Sequence, residues 1–217
     1  MQTKFKGISG HGGVREGAGR PKKKGSCSHK ARAKVDMRKP LHLTAGVRKG
    51  VVFLRSPKIG REFRNAIKRL QKFGLNVNHY TIQGNHFHMI VEAKDNQALS
   101  RGMNSLGSRL GKFLRRLSLG KGAIFKERFH LHVLKTPTEV RRALEYVLLN
   151  LSKHRKLLAE FDVFSSGYYF KEWKALIGDR DEPLLEEELE CIRPRDADFL
   201  VPFHSWLGRE GWKRGFA

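Results

Sequence analysis

The sequence predicts an α+β domain with the element order βαββαβα, and two patterns of hydrophobic spacing support this prediction. Four segments alternate apolar and polar residues, as strands do, and three segments repeat apolar residues at the spacing of an amphipathic helix. The chain has 217 residues, enough for one domain of good size plus extensions. We expect the four strands to form one sheet with the helices on one face, which leaves the other face partly free.

These patterns define the elements that precede the last helix. In chain order they are a strand at 41–47, a helix that ends at Gly74, a hairpin of 77–83 and 84–92 that turns at Gly84-Asn85, a helix that begins near Asp95 or Asn96, and a strand at 125–133. In the first strand, His42 and Thr44 occupy the polar face.

The last helix begins with clear signals. Thr136-Pro137-Thr138-Glu139 reads as a capping box, with Thr136 as N-cap and Pro137 in the first helical position. Tyr146 and Asn150 lie four residues apart, on one flank of the helix. They are outside the predicted buried stripe, which comprises Val140, Ala143, Leu144, Val147, Leu148 and Leu151.

His86 and His88 are the most informative residues of the hairpin. As alternate residues of one strand they point to the same face. Imidazole nitrogen is a common ligand for divalent transition ions, and a bound ion can polarise a phosphate that a tyrosine attacks. Asn150 would offer a carbonyl oxygen one turn from Tyr146, which suits a site of two imidazoles and an amide.

Two other interpretations stay open at this point. Paired histidines on the polar face of a strand are more often solvated or hydrogen-bonded than metal-bound. A second pair, His130 and His132, repeats the same pattern on the fourth strand beside Lys126 and Arg128. We favour the first pair as the site because its strand follows a hairpin directly, as a central strand would. The second pair suits phosphate contacts or a polar face.

The motifs His86-Phe87-His88 and Tyr146-Val147-Leu148-Leu149-Asn150 resemble those of the single-tyrosine HUH transposases, and among them the bacterial REP-associated tyrosine transposases. The resemblance covers residues 40–154, and a basic leader at 12–22 is also similar. It implies a ferredoxin-like domain that cleaves single-stranded DNA beside a hairpin, leaving a 5′-phosphotyrosine and a free 3′-hydroxyl.

Carried onto this sequence, the resemblance assigns a role to each motif residue. His86 and His88 would be ligands of Mg²⁺ or Mn²⁺, Asn150 would be the third ligand, and Tyr146 would be the nucleophile. Many mobile relatives have Gln where this chain has the shorter Asn150. A single tyrosine near the site favours an enzyme with one nucleophile over a two-tyrosine replication initiator.

The charge balance favours a polyanionic partner. The chain has 44 Lys and Arg against 21 Asp and Glu, a net charge of +23, and phosphate contacts gain from the release of counterions. Ribosomal RNA or a membrane surface would satisfy the same charge. Together with the resemblance, the charge predicts single-stranded DNA and DNA hairpins as partners. The residues predicted to bind DNA are Arg20, Lys22, Lys23, Arg101, Arg109, Lys112, Arg115, Arg116, Lys126, Arg128 and His130.

Three regions follow from composition: a basic flexible arm at 1–39, the HUH domain at 40–155 and a C-terminal extension at 156–217. The arm has almost no large apolar residues, so it cannot fold by itself. Within the extension we expect the aromatic residues of 161–173 to pack on the domain. An acidic stretch occupies 179–198, and an aromatic anchor occupies 206–212.

The compartment also follows from composition. No apolar run approaches the roughly 20 residues that span a bilayer, and no secretory signal follows the basic N-terminus. Cys27 and Cys191 lie far apart in dissimilar segments, which argues against a disulfide framework. We therefore expect a cytoplasmic protein without membrane contact. The sequence leaves open whether the protein is a homodimer.

Two functions from different classes are consistent with these features. The first is a metal-dependent tyrosine transposase that nicks and transfers single-stranded DNA. The alternative is a non-catalytic protein, derived from a transposase, that binds hairpin DNA or RNA. Cleavage that is lost on removal of the tyrosine hydroxyl would distinguish the first from the second.

Overall fold

The structure is a computed structural model that describes residues 33–118, 122–149, 162–177 and 198–215. All of these residues belong to one unit, Ala31–Ala217. Within the described ranges, no helix combines the length and the apolar character that crossing a membrane requires.

The sheet has four antiparallel strands in the order β2-β3-β1-β4. The strands are β1 (Leu41–Gly46), β2 (Leu75–Ile82), β3 (His86–Ala93) and β4 (His130–Val133). The main helices are α1 (Pro57–Ile67), α2 (Asn96–Leu117) and α3 (Pro137–Leu148). The element order is the predicted βαββαβα, and the strand order is that of a ferredoxin-like sheet. The α+β class is therefore confirmed.

Each main helix begins at a short polar side chain that accepts a backbone hydrogen bond. Ser56, Asp95 and Thr136 are the three N-caps. Thr136 forms the predicted capping box with Glu139. A short 3₁₀ helix (Gln71–Phe73) follows α1 and ends at Gly74, whose φ of 75° lies in the left-handed region that glycine tolerates.

The fourth strand is shorter than predicted, since β4 contains 4 residues of the expected 125–133. Phe125 forms an isolated bridge with Val47 instead, and the backbone then bends over residues 126–128. Phe125 and Phe129 still pack against the core. The apolar residues before His130 thus mark two rings that contact the core. They are not part of a continuous strand.

One face of the sheet packs against α1 and α2 and forms the first core. Phe63 of α1 meets Phe87 of β3 edge-on, with ring centroids 5.0 Å apart. Burial of each large apolar side chain contributes about 1.5–3 kcal/mol. The strand residues in this core are Leu41, Leu43, Ala45, Leu75, Val77, Tyr80, Ile82, Phe87, Met89, Val91 and Ala93.

The opposite face of the sheet is covered by α3 and by the C-terminal segments. Ile90 of β3 and Trp212, both 0% exposed, share this second core. The expectation of helices on one face therefore holds for α1 and α2, whereas α3 lies on the other face because its apolar stripe finds its partner at Ile90. Phe170 and Trp173 are buried here too, so the expected packing of the 161–173 segment is seen in its described part.

Two buried charged side chains hold the C-terminal segments in place. Glu92, 0% exposed, accepts hydrogen bonds from the N–H groups of His204 and Ser205 at 2.6 and 2.8 Å. Arg141 of α3 donates to two carbonyls of the short helix α4 (Trp173–Ile177). A buried charge without partners would cost several kcal/mol, so these contacts fix where the segments lie.

The end of the chain is anchored by Trp212 in the second core, whereas Trp206, in the short helix α5 (Trp206–Arg209), is half exposed. The acidic stretch at 179–198 lies outside the described residues except for Asp198, which forms an ion pair with Lys68.

The packed part of the chain begins before the predicted domain boundary at residue 40. Val35 is 3% exposed in the first core. Its N–H donates to Asn96 Oδ1 at 2.7 Å, and Asn96 Nδ2 donates to the Ala33 carbonyl at 3.0 Å. The buried Val35 side chain and the two hydrogen bonds with Asn96 attach this segment to α2. Arg20, Lys22 and Lys23 of the predicted arm lie outside the described residues.

Two glycines of α2 provide a matched test of the packing of α2 on β2. A Cβ at Gly102 would lie 2.5 Å from Leu75 Cδ2, whereas a Cβ at Gly107 would lie 3.9 Å from Phe125. Gly102→Ala should therefore destabilise the protein by about 1–3 kcal/mol through overpacking. Gly107→Ala should stabilise it by up to about 1 kcal/mol, because alanine favours the helix. Chemical denaturation measures both free energies of unfolding, and equal changes would contradict the packing of α2 on β2.

Candidate functional site

The register of β1 against β3 gathers polar side chains at the centre of the face that α3 covers. His88 pairs with Thr44, and His86 pairs with Gly46. Paired residues of antiparallel strands point to the same side of the sheet. His42, two residues before Thr44, points the same way. The resulting group of His42, Thr44, His86 and His88, together with Tyr146 of α3, is called the tyrosine–histidine cluster below.

His88 lies at the centre of this cluster. Its Nδ1 is 3.0 Å from Thr44 Oγ1 and 3.2 Å from His42 Nε2, and its Nε2 is 3.3 Å from the Tyr146 hydroxyl. A neutral imidazole has one donor and one acceptor nitrogen. With its hydrogen on Nδ1, His88 donates to Thr44 or His42, and its Nε2 lone pair faces the hydroxyl of Tyr146.

His86 is oriented by its neighbour in the turn. Its Nδ1 lies 2.7 Å from Asn85 Oδ1. An amide oxygen only accepts hydrogen bonds, so Nδ1 carries the hydrogen and Nε2 keeps its lone pair. The rings of His86 and His88 have centroids 4.8 Å apart and an interplanar angle of 86°. Both imidazoles can thus present Nε2 lone pairs, and fixing the tautomer through the second nitrogen is usual for metal ligands.

Burial favours the neutral form of these histidines. Loss of hydration lowers the pKa of His88 to about 3, and repulsion from His42 and His86 acts in the same direction. The pKa of His42 is lowered to about 4, first by burial and then by His132 and His130. Burial also lowers the pKa of His86. At neutral pH the three rings can therefore act as hydrogen-bond acceptors or metal ligands.

Helix α3 carries Tyr146 to the cluster. Of the predicted stripe, all the described members are buried: Val140, Ala143, Leu144, Val147 and Leu148. Tyr146 lies beside that stripe and is 41% exposed. Its ring centroid is 4.9 Å from that of His88 and 5.8 Å from that of His42. The hydroxyl of Tyr146 therefore contacts the cluster, while the side chain as a whole is partly exposed.

The predicted metal ligands are brought together in part. His86 and His88 converge, and two neutral imidazoles with oriented Nδ1 atoms suit a divalent ion. Asn150, the predicted third ligand, lies outside the described residues, as does Leu151 of the stripe. Within residues 33–118, 122–149, 162–177 and 198–215, no group of three His, Cys, Asp or Glu could hold a metal ion. The described residues thus supply two of the three predicted ligands, and the third is predicted to lie outside them.

The competing histidine pair lies on the same face of the sheet, at its edge. His130 pairs with Thr44 and His132 with His42. Both are exposed, and His132 Nε2 lies 3.6 Å from Glu139 Oε1 at the start of α3. This pair borders the cluster from β4, while Tyr146 contacts His88 of the first pair.

The predicted DNA-binding residues of α2 lie on the other side of the sheet, because α2 packs on the first core. The exposed ones are Arg101, Lys112, Arg115 and Arg116. Arg109 Nε forms an ion pair with Glu62 Oε1 of α1 at 2.6 Å, so it connects the two helices. These residues do not line the tyrosine–histidine cluster.

Two further predicted DNA-binding residues, Lys126 and Arg128, are exposed in the segment before β4. Arg128 lines a cavity of about 470 Å³ together with Phe125, Phe129 and residues of α2. The cavity also lies on the α2 side of the sheet, since Phe87 and Ala45 of the first core line it.

Thr44 and Asn85 are site residues whose roles the sequence analysis missed. Each lies within hydrogen-bond distance of the Nδ1 atom of a histidine. Neither is a nucleophile or a predicted metal ligand, so neither belongs to a recognisable motif. The signal for Thr44 was the strand register, which places it opposite His88. The signal for Asn85 was its position next to His86 in a tight turn.

No protein-family model and no curated protein matches the chain. Among solved structures it is similar to a REP-associated tyrosine transposase bound to a REP hairpin, with a TM-score of 0.53 and 18% identity over 64% of this chain and 82% of that one. The chain shares the fold of a tyrosine transposase. A transposase candidate from Deinococcus radiodurans R1 is less similar, with a TM-score of 0.38 at 9% identity over 60% of this chain and 95% of that one.

Thr44 should be needed to orient His88 for metal binding. Thr44→Val removes the hydroxyl near Nδ1 and should weaken Mn²⁺ binding roughly 10- to 100-fold, as loss of such a partner usually does. Thr44→Ser keeps the hydroxyl and should bind like the wild type. Calorimetry measures the affinity, and ¹⁵N NMR reports the tautomer of His88. An unchanged tautomer and affinity in Thr44→Val would show that His42 alone orients the ring.

Proposed function

We propose that the protein is a transposase-like DNA endonuclease and strand transferase that cleaves single-stranded DNA beside REP-type hairpins through a 5′-phosphotyrosine at Tyr146. The observation that carries this proposal is the 3.3 Å contact between the Tyr146 hydroxyl and His88 Nε2, within a cluster of neutral imidazoles. A half-exposed tyrosine that contacts His88 and His42, on a helix with a buried apolar stripe, has the parts of a nucleophile site.

Tyr146 attacks the scissile phosphorus in the proposed reaction. A bond forms between its hydroxyl oxygen and phosphorus, and the bond from phosphorus to the 3′-oxygen breaks. The hydroxyl proton passes to solvent, and the departing 3′-oxygen gains a proton. The phosphotyrosine is itself a phosphodiester, so a DNA 3′-hydroxyl can reverse the step at another junction without ATP. Helix α3 contributes by fixing the position of Tyr146 before attack.

His86 and His88 are the side chains that would hold Mg²⁺ or Mn²⁺, with Asn150 as third ligand. The ion would supply charge neutralisation at the non-bridging phosphate oxygens. His88 Nε2 has one lone pair, so it can either face the Tyr146 hydroxyl or serve as a ligand. With an ion bound, His88 would hold the metal through this nitrogen, and the Tyr146 hydroxyl would be free to meet a phosphate.

DNA hairpins with an unpaired flank are the substrate class that we propose. The net charge of +23 favours phosphate binding, and the structure that shares this fold was solved with a REP hairpin. A single tyrosine must approach one phosphate in line, which a flexible single strand allows more readily than a duplex. A chromosomal substrate would place the activity in the cytoplasm.

Tyr146→Phe tests the nucleophile. The phenylalanine ring keeps the contacts with His42 and His88 and loses only the attacking oxygen. Covalent protein–DNA adducts on a denaturing gel should fall to background, while hairpin affinity stays nearly unchanged. Tyr168→Phe, at a tyrosine that contacts Tyr169, is the matched control and should form the adduct normally. An undiminished adduct in Tyr146→Phe would refute the assignment, and hairpin binding without cleavage by the wild type would favour the non-catalytic alternative.

The two histidine pairs should respond differently to substitution. His86→Ala or His88→Ala should eliminate Mn²⁺ binding and metal-dependent cleavage, because each removes an imidazole that faces the site. His130→Ala and His132→Ala should keep metal binding and weaken DNA binding, because both side chains are exposed at the sheet edge. Calorimetry with Mn²⁺ separates the pairs. Loss of metal binding in the second pair alone would move the site to β4.

A further inference from the structure

The loop between β1 and α1 displays an aromatic ring near the tyrosine–histidine cluster. Phe53 is 67% exposed, which makes it one of the most exposed large apolar side chains in the described ranges. Single exposed apolar residues are common on protein surfaces, so exposure alone carries no meaning. Phe53 is distinguished by a fixed backbone, by its place in the fold and by its basic neighbours.

The loop is attached to the β2–β3 turn on both sides of Phe53. The Val47 N–H donates to the Asn85 carbonyl and the Leu54 N–H donates to the Gly84 carbonyl, both at 2.8 Å. The ring itself lies over Gly84, since a Cβ there would come within 2.5 Å of Phe53 Cε2. The missing side chain of Gly84 therefore makes room for the ring.

Arg55 fixes the far end of the loop. Its guanidinium donates two hydrogen bonds to the Asp162 carboxylate at 2.7 and 2.8 Å and one to the Ile82 carbonyl at 2.9 Å. It also lies 4.8 Å from the centroid of the Phe164 ring. Paired hydrogen bonds between arginine and a carboxylate impose a defined geometry. Phe53 is thus exposed on a loop whose backbone is held in place by hydrogen bonds on both sides of the ring.

The turn beneath Phe53 leads directly into the cluster. Gly84 lies two residues before His86, a separation of at most about 7 Å along the backbone. Asn85, between them, is the residue that orients His86. The loop begins directly after Gly46, which pairs with His86. Phe53 is therefore displayed next to the end of β3 that carries a proposed metal ligand.

The charge of the loop fits a nucleic-acid strand. Residues 47–56 contain three basic residues and no acidic one. Arg48 and Lys49 are exposed, while Arg55 is engaged by Asp162. Proteins hold single-stranded DNA by stacking bases on aromatic rings and meeting the phosphates with basic groups. Within a paired stem the base faces are covered by the neighbouring pairs, so they are closed to such a ring.

We propose that Phe53 is a stacking platform for one unpaired DNA base beside the scissile phosphate, with Arg48 and Lys49 at the adjoining phosphates. This inference rests on the proposed function, because it concerns the strand that Tyr146 attacks. Stacking on Phe53 selects the unpaired flank over the stem and places cleavage in that flank.

The test uses the full chain and a hairpin oligonucleotide with one single-stranded flank, in EDTA so that no cleavage occurs. 2-Aminopurine, whose fluorescence falls on stacking, replaces the flank bases one at a time. Wild type and Phe53→Trp should quench one flank position, and Phe53→Ala and Phe53→Leu should not. Phe53→Leu is the matched control, because it keeps an apolar contact over Gly84 without a ring face.

Affinity provides the second readout. Phe53→Ala should bind the flanked hairpin roughly five- to hundredfold more weakly, the usual effect of losing one base stack, and should bind a blunt hairpin like the wild type. Equal quenching by wild type and Phe53→Ala would overturn the proposal. So would a loss of affinity of Phe53→Ala for the blunt hairpin as large as its loss for the flanked hairpin. Phe53→Leu decides the question if Phe53→Ala lowers the melting temperature. A null result here with normal adduct formation refutes only the platform, whereas absence of the adduct refutes the proposed function.

Discussion

The antiparallel register of β1 against β3 is the constraint on which the candidate site depends. Pairing of Thr44 with His88 places both β3 histidines on the face that α3 covers. A slip of one residue would reverse every side chain of β3, so both imidazoles would enter the first core. Phe87 and Met89, 3% exposed or less, would then leave that core. The hydrophobic packing against α1 and α2 thus secures the geometry of a polar site that it does not touch.

The two faces of the sheet differ in what they contain. The first face is apolar and closed by α1 and α2, whereas the second combines an apolar part around Ile90 with the tyrosine–histidine cluster. The apolar part fixes α3, and α3 in turn fixes Tyr146 against His88. Glu92 and Arg141 attach the C-terminal segments to this same face, so the position of α3 depends on contacts distant in sequence.

The order of elements and the grouping of the candidate site residues His86, His88 and Tyr146 could be predicted because their signals are local. Alternation defines β1 and β3, and the capping box at Thr136 defines the start of α3. Amphipathic spacing predicts which side of a helix is buried but not which face of the sheet receives it. For that reason the sequence could not predict that α3 and α2 lie on opposite faces of the sheet. It also could not predict that the basic residues of α2 lie away from the site. The role of Thr44 depends on the pairing of two strands, so it cannot be predicted from one segment alone. Metal coordination by His86, His88 and Asn150 stays a prediction.

The central claim is that DNA becomes covalently attached to Tyr146, and peptide mass spectrometry tests it directly. Wild-type protein would react with flanked hairpin DNA and Mn²⁺ and then be digested with protease and nuclease. The account predicts a 5′-phosphonucleotide on the peptide that contains Tyr146 and unmodified tyrosines elsewhere. An adduct on another residue, a linkage through a 3′-phosphate, or binding of the DNA without any adduct would contradict it.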